Sequence, residues 1–224
     1  MDEITERKWK VLNRDTIKYI AMFTMLLNHI STIFMESGKF VSELFLNAGY
    51  FTAITMCYFL VEGYQYTHSK KKYAFRLIIY ALISEIPYCL AFTKNGVLEF
   101  CGLNMLFTLF ICFCILFVVE RVKNTPLKVV SILILILLSL ASDWPLLAPI
   151  FTLLFIWGKD SKKKLKAAFV ISIILFGMFK FAGGIGRFPL NTNILYALGR
   201  IVGVTLAGIV IIYFYNGKRM ERGK

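Results

Sequence analysis

His29 and Glu85 are the residues best suited to proton chemistry in this sequence, because each stands inside a long apolar run. An ionisable side chain inside a membrane-spanning segment is costly and generally has a task. His29 lies in the run Met25-Leu26-Leu27-Asn28-His29-Ile30, whereas His68 lies in a basic turn. A neutral imidazole accepts a proton near physiological pH, which is what a general base does for an attacking nucleophile. A carboxylate bonded to the second ring nitrogen would fix the tautomer, and either Glu85 or Asp143 could supply it. The alternative for His29 is a structural histidine satisfied by a backbone carbonyl.

A second set of candidates surrounds one turn. Glu62 ends an apolar run, His68 and Lys70-Lys71-Lys72 form the turn, and Arg76 enters the next apolar run. Phosphates attract such clusters, Arg through paired hydrogen bonds and Lys as a point charge. Glu62, His68, Lys70, Lys71, Lys72 and Arg76 are therefore candidates for organising a polyanionic cofactor. The lysines also fit plain membrane topology and contact with anionic head groups, and a Glu62–Arg76 ion pair would be a structural use of both residues. Further along, Asn104, Thr108 and Arg200 could hold a substrate or a developing oxyanion. Arg200 stands between Gly199 and Gly203, a Gly-x-x-x-Gly spacing that lets helices approach closely; it could instead pair with Asp143. The five cysteines show no Cys-x-x-Cys and no His-rich metal spacing. Cys89 and Cys101 could face each other near one membrane surface.

What must position these residues is a set of apolar helices. The chain has 224 residues, 58% of them hydrophobic, where a soluble domain is nearer half. Apolar runs at residues 17–35, 44–66, 73–92, 104–120, 127–141, 146–157, 165–181 and 194–215 approach, with some shortfall, the roughly 20 residues a spanning helix needs. The fold expected is an all-α, polytopic transmembrane helical bundle of about eight spans, one domain over 1–224, with a leader at 1–16 and a tail at 217–224. The first run is too long for a signal-peptide core and is expected to stay as the first span. If the runs alternate in direction, all but five of the 26 Lys and Arg fall on one side; Lys39, Lys94, Lys180, Arg187 and Arg200 remain on the other. That bias predicts that both termini are cytoplasmic. It also accounts for the net charge of +13 without nucleic acid. Asp143-Trp144-Pro145 marks a turn, since Pro breaks a helix interior. At about 1.5 Å per residue, the polar residues form an outer tier of His29, Glu85, Thr108, Asp143 and Arg200, and an inner tier of Glu62, Arg76 and the lysine turn.

Several short pieces resemble the TraX family, known from conjugal transfer, over residues 17–219. They are Met25-Leu26-Leu27-Asn28-His29-Ile30, Phe59-Leu60-Val61-Glu62-Gly63, Thr67-His68, Tyr73, Arg76-Leu77 and Ser84-Glu85-Ile86-Pro87, followed by Asn104, Phe107-Thr108-Leu109, Asp143 and Tyr215-Asn216-Gly217-Lys218-Arg219. The resemblance implies a multi-pass protein of the bacterial cytoplasmic membrane that acetylates the N-terminal amine of pilin subunits. Acetyl-CoA would be the cofactor, at the inner tier. His29 would be the base, Glu85 or Asp143 would orient it, and Asn28, Asn104, Thr108 or Arg200 would hold substrate or oxyanion. The partners implied are the lipid bilayer and a peptide or protein amine, with no nucleic acid and no metal. The family usually has Asp where this chain has Asn28, Arg where it has Tyr50, and Pro where it has Ile54. A transporter or a non-catalytic membrane scaffold would use the same buried polar residues; binding of acetyl-CoA separates these readings.

Overall fold

A computed structural model describes residues 9–93 and 100–220. The start of the leader with Arg7 and Lys8, the outer-side Lys94, and Arg222 and Lys224 of the tail lie outside the described residues. Among the described residues eight helices follow one another: α1 (Arg14–Phe34), α2 (Phe40–Tyr66), α3 (Lys70–Phe92), α4 (Met105–Arg121), α5 (Thr125–Leu138), α6 (Leu147–Gly158), α7 (Lys162–Gly184) and α8 (Leu190–Ile209). A 3-10 turn (Ser139–Ala141) extends α5, and a π turn (Val210–Phe214) extends α8. Four starts are written in the sequence: the side chains of Asn13, Ser69, Asn104 and Asn124 accept from the backbone N–H of Thr16, Lys72, Leu106 and Leu127. These bonds satisfy donors that the first turn of a helix leaves open. No strand forms among the described residues; Leu12–Tyr215 and Leu103–Ser142 are single backbone bridges.

Among the described residues five helices are long and apolar enough to cross a membrane: α1, α2, α3, α7, and α8 with its π turn. The other three are shorter, with 17 residues in α4, 14 in α5 and 12 in α6. The eight apolar runs are thus eight helices, of which five have spanning length. Large apolar side chains point outward along them, among them Phe23, Phe75, Ile83, Leu133, Ile134 and Leu195. Outward apolar surface on that scale suits lipid rather than water, and helices satisfy their own backbone groups in it. The chain is a membrane protein.

The chain divides into two compact units, one of residues 1–56 and 161–224, the other Cys57–Asp160. In the first, α1 and the start of α2 are stitched by small polar residues. Thr52 Oγ1 donates to the Ala21 carbonyl at 2.7 Å and lies 3.0 Å from Thr24 Oγ1. Asn28 Nδ2 donates to the Leu46 carbonyl at 3.1 Å, and Ser31 Oγ to the Ser42 carbonyl at 2.8 Å. Positions 21, 24, 28 and 31 share one helix face, and small residues there let the backbones come close. Gly203 of α8 meets α2 backbone to backbone: a Cβ at that position would lie 2.2 Å from the Asn47 carbonyl oxygen. The Gly-x-x-x-Gly spacing is therefore a packing seam. The two ends of the described chain also meet, with Leu12 N–H donating to the Phe214 carbonyl and Arg14 N–H to the Lys218 carbonyl, each at 2.9 Å.

In the second unit α4 is central, packed against α3, α5 and α6. It buries Thr108, Leu109, Cys112, Phe113, Ile115 and Leu116, as an apolar helix with neighbours on several sides must. All five cysteines are free thiols. Cys101 Sγ lies 3.9 Å from the Cys89 carbonyl oxygen, so the two are close without being bonded.

Candidate functional site

The Cys57–Asp160 unit gathers Glu85, Asn104, Thr108 and Asp143. Asn104 ends the loop before α4 and is buried, because its side chain caps the helix on one side and reaches α3 on the other. Its Nδ2 donates to Glu85 Oε2 at 2.7 Å, to the Ala81 carbonyl at 2.8 Å and to Ser84 Oγ at 3.1 Å, and its backbone N–H donates to Glu85 Oε2 at 3.0 Å. One carboxylate oxygen of Glu85 is thus held by two donors of a single residue. The other, Oε1, faces the Cys89 thiol at 3.6 Å, a weak donor. Thr108, fully buried, donates to the Asp143 carbonyl and lies 3.0 Å from Ser142 Oγ. The turn that follows is strained, with Trp144 at φ 59° and Leu146 at φ 61°. Non-glycine residues rarely take that left-handed conformation and do so where the surroundings fix it. Here Leu146 N–H donates to Ser139 Oγ at 3.1 Å, and the Asp143 N–H donates to the Leu103 carbonyl at 2.8 Å. Ser142 joins the cluster because the fold brings Ser139–Leu146 against the start of α4.

At its lysine-rich end the same unit holds an ion cluster centred on a residue the sequence reading took only as a helix boundary. Lys70 Nζ lies 2.5 Å from Glu120 Oε1, and Tyr64 donates to the same carboxylate. Lys70 also sits 4.5 Å from the centre of the Tyr64 ring, a cation–π contact. The cluster borders a cavity of about 400 Å³ lined by Tyr64, Gln65, Lys70, Glu120 and Lys159 among others. Lys71, Lys72 and His68 are exposed beside it, and Glu62 is half-buried. Arg76 is exposed on α3, with its guanidinium carbon 6.0 Å from the Tyr73 ring centre.

The other unit holds His29, Asn28 and Arg200. His29 is half-buried on α1, one residue beyond the seam position Asn28. Asn28 covers Gly49: a Cβ on that glycine would stand 2.3 Å from the Asn28 Cβ. Arg200 is buried in α8, and its carboxylate partner is Glu43 rather than Asp143. Nη2 lies 2.7 Å from Glu43 Oε2 and Nη1 donates to Asn47 Oδ1 at 3.1 Å. The guanidinium carbon is 4.3 Å from the Tyr196 ring centre and 5.8 Å from that of Tyr50. Lys180 approaches the Tyr50 ring to 4.7 Å. Tyr50, where the family usually carries a cation, therefore lies against two cations from other helices. Glu43 and Asn47 were not foreseen, although Glu43, Asn47 and Tyr50 share one face of α2 by their spacing of four and three.

Fold and polar clusters together define a helical membrane protein with charged groups held inside apolar helices. More particularly, the chain belongs to the TraX family: the family model described as TraX protein matches residues 13–224. It is similar to the probable fimbrial assembly protein FimC, serogroup H1, of Dichelobacter nodosus, with 27% identity over 219 residues, 92% of this chain and 85% of that one. No solved structure matches the chain.

Proposed function

We propose that this protein is a membrane-embedded acetyltransferase that moves an acetyl group from acetyl-CoA to an amine, the acceptor being the N-terminus of a pilin-like peptide or protein. The observation that carries the reading is Glu85. Its carboxylate sits in an apolar helix with Oε2 held by two N–H donors of Asn104, while Oε1 has only a thiol hydrogen among the described donors. A carboxylate fixed in this way can hold an ammonium group by a charge-assisted bond. The relative's role in fimbrial assembly supports a pilin-like acceptor. The lysine-rich ends are assigned to the cytoplasm by their charge, and the membrane to the bacterial cytoplasmic membrane.

Acetyl-CoA supplies an activated thioester carbonyl for the amine to attack. Its phosphates fit the lysine-rich end, where Lys71, Lys72 and Arg76 are exposed and Lys159 lines the cavity; Lys70 is already neutralised by Glu120. His29 takes the proton that the attacking amine must lose. Thr108 and Asn104 hold the polar layer of α4 in place.

The test is single-turnover transfer from labelled acetyl-CoA to an amine-terminated peptide, with acetyl-CoA affinity measured on the same preparations. His29→Ala is expected to lose about two to four powers of ten in rate with affinity unchanged. Glu85→Gln loses less, because it keeps a hydrogen-bonding side chain. Transfer by the His29 variant at the parental rate would remove that residue as the base. Failure of the parental protein to bind acetyl-CoA would remove the enzyme reading and favour a transporter or scaffold.

A further inference from the structure

A second cavity, of about 480 Å³, is also bordered by Lys70 within the Cys57–Asp160 unit. Ligand pockets commonly span about 300–1,000 Å³. It is framed by three helices: Lys70, Lys71 and Ala74 from α3, Phe113 and Phe117 from α4, and Ser131, Ile134 and Leu135 from α5. Its wall is almost wholly apolar and its cations stand together at one end. Phe117 and Ile134 are about half exposed to the outside of the unit, so the groove opens where lipid chains run. The third wall adds charge at the same end. Lys128 stands in the first turn of α5, one turn before Ser131 and two before Leu135, and so on the groove-facing side. The last turn of α4 carries Arg121. Glu120, at the end of α4, is taken up by Lys70 and Tyr64, which leaves Lys71, Arg121 and Lys128 as the cations at this end. An apolar slot closed by cations at the membrane surface is complementary to one class of molecule, an acyl chain with an anionic phosphate head.

We propose that the groove between α3, α4 and α5 is a binding site for an anionic phospholipid, its phosphate on Lys71 and Lys128 and one acyl chain along Phe113, Phe117 and Leu135. The site shares Lys71 with the acetyl-CoA reading and otherwise stands on its own lining. It would fix the arrangement of the short helix α5, which has no fully buried residue of its own, against α4.

The experiment uses the full chain purified in detergent and native mass spectrometry with phosphatidylglycerol and phosphatidylcholine of matched chains. The parental protein is expected to retain phosphatidylglycerol about tenfold more tightly. Lys71→Glu combined with Lys128→Glu should abolish that preference, and Ser131→Phe, which fills the slot, should weaken retention of both lipids. Equal retention of the two lipids by the parental protein, or a preference that survives in both variants, overturns the proposal. So does displacement of phosphatidylglycerol by palmitoyl-CoA at lower concentration, which would assign the groove to an acyl-CoA. As a check that needs no variant, a phosphatidylglycerol carrying a diazirine in its acyl chain should label Phe117 or the Ile134–Leu135 pair; labelling confined to other helices also overturns it.

Discussion

Two ion pairs that tie helices together differ in depth. Arg200–Glu43 lies within its unit, with the arginine side chain 4% exposed and the carboxylate 31%. Lys70–Glu120 lies at a helix end, with its partners 29% and 41% exposed. A buried guanidinium needs close partners, and both Nη atoms of Arg200 have them: a carboxylate and an amide oxygen, with two aromatic faces alongside, while Nε is buried without a hydrogen bond among the described residues. A lysine at the rim can lean on water and head groups, so its pairing is optional and its charge is open to regulation. The contrast separates a pair that specifies how α2 and α8 fit from one that borders two cavities.

The largest effect should come from breaking the deep pair on one side. Glu43→Gln leaves Arg200 charged without its carboxylate, and a loss of about 3 kcal/mol or more is expected in thermal or denaturant unfolding in detergent. Replacing Arg200 by Met in the same protein should recover much of that loss. An unaffected melting transition in the single variant would mean that Asn47 and the two tyrosines suffice. Next comes Asn104→Ala, which removes a helix cap and the three Nδ2 hydrogen bonds to α3; about 2 kcal/mol is expected from those combined losses. The Asn104 variant sharpens the comparison, because a neutral residue with four hydrogen bonds should then rank between the two ion pairs. The smallest effect is expected at the rim: Lys70→Ala should cost less than about 1 kcal/mol and its effect should shrink as salt is raised. A loss at Lys70 as large as that at Glu43 would show that depth is not what distinguishes the pairs.

Much of the fold was legible in sequence because lipid imposes a simple rule. Each apolar run must bond its own backbone, so runs became helices close to where they were expected. The starts at Ser69 and Asn104 followed from local hydrogen bonding of cap side chains. Arg76 shows what the same rule leaves open. Position along an apolar run says how deep a residue lies and not which way it faces, and its face of α3 is the exposed one.

The sequence by itself determined that this is a helical membrane protein and, to within a few residues, where its helices lie. Composition and local hydrogen bonding suffice for that, since each helix is close to a self-contained solution in lipid. Only the tertiary structure decided the partners: that Arg200 takes Glu43 and not Asp143, that Lys70 takes Glu120, and that Asn104 grips Glu85. Those choices depend on which helix faces meet, and the seams that fix the faces are made of small residues such as Gly203 and Gly49. What a glycine contributes is the close approach of another backbone, which no pattern of charges or apolar residues along one chain can show.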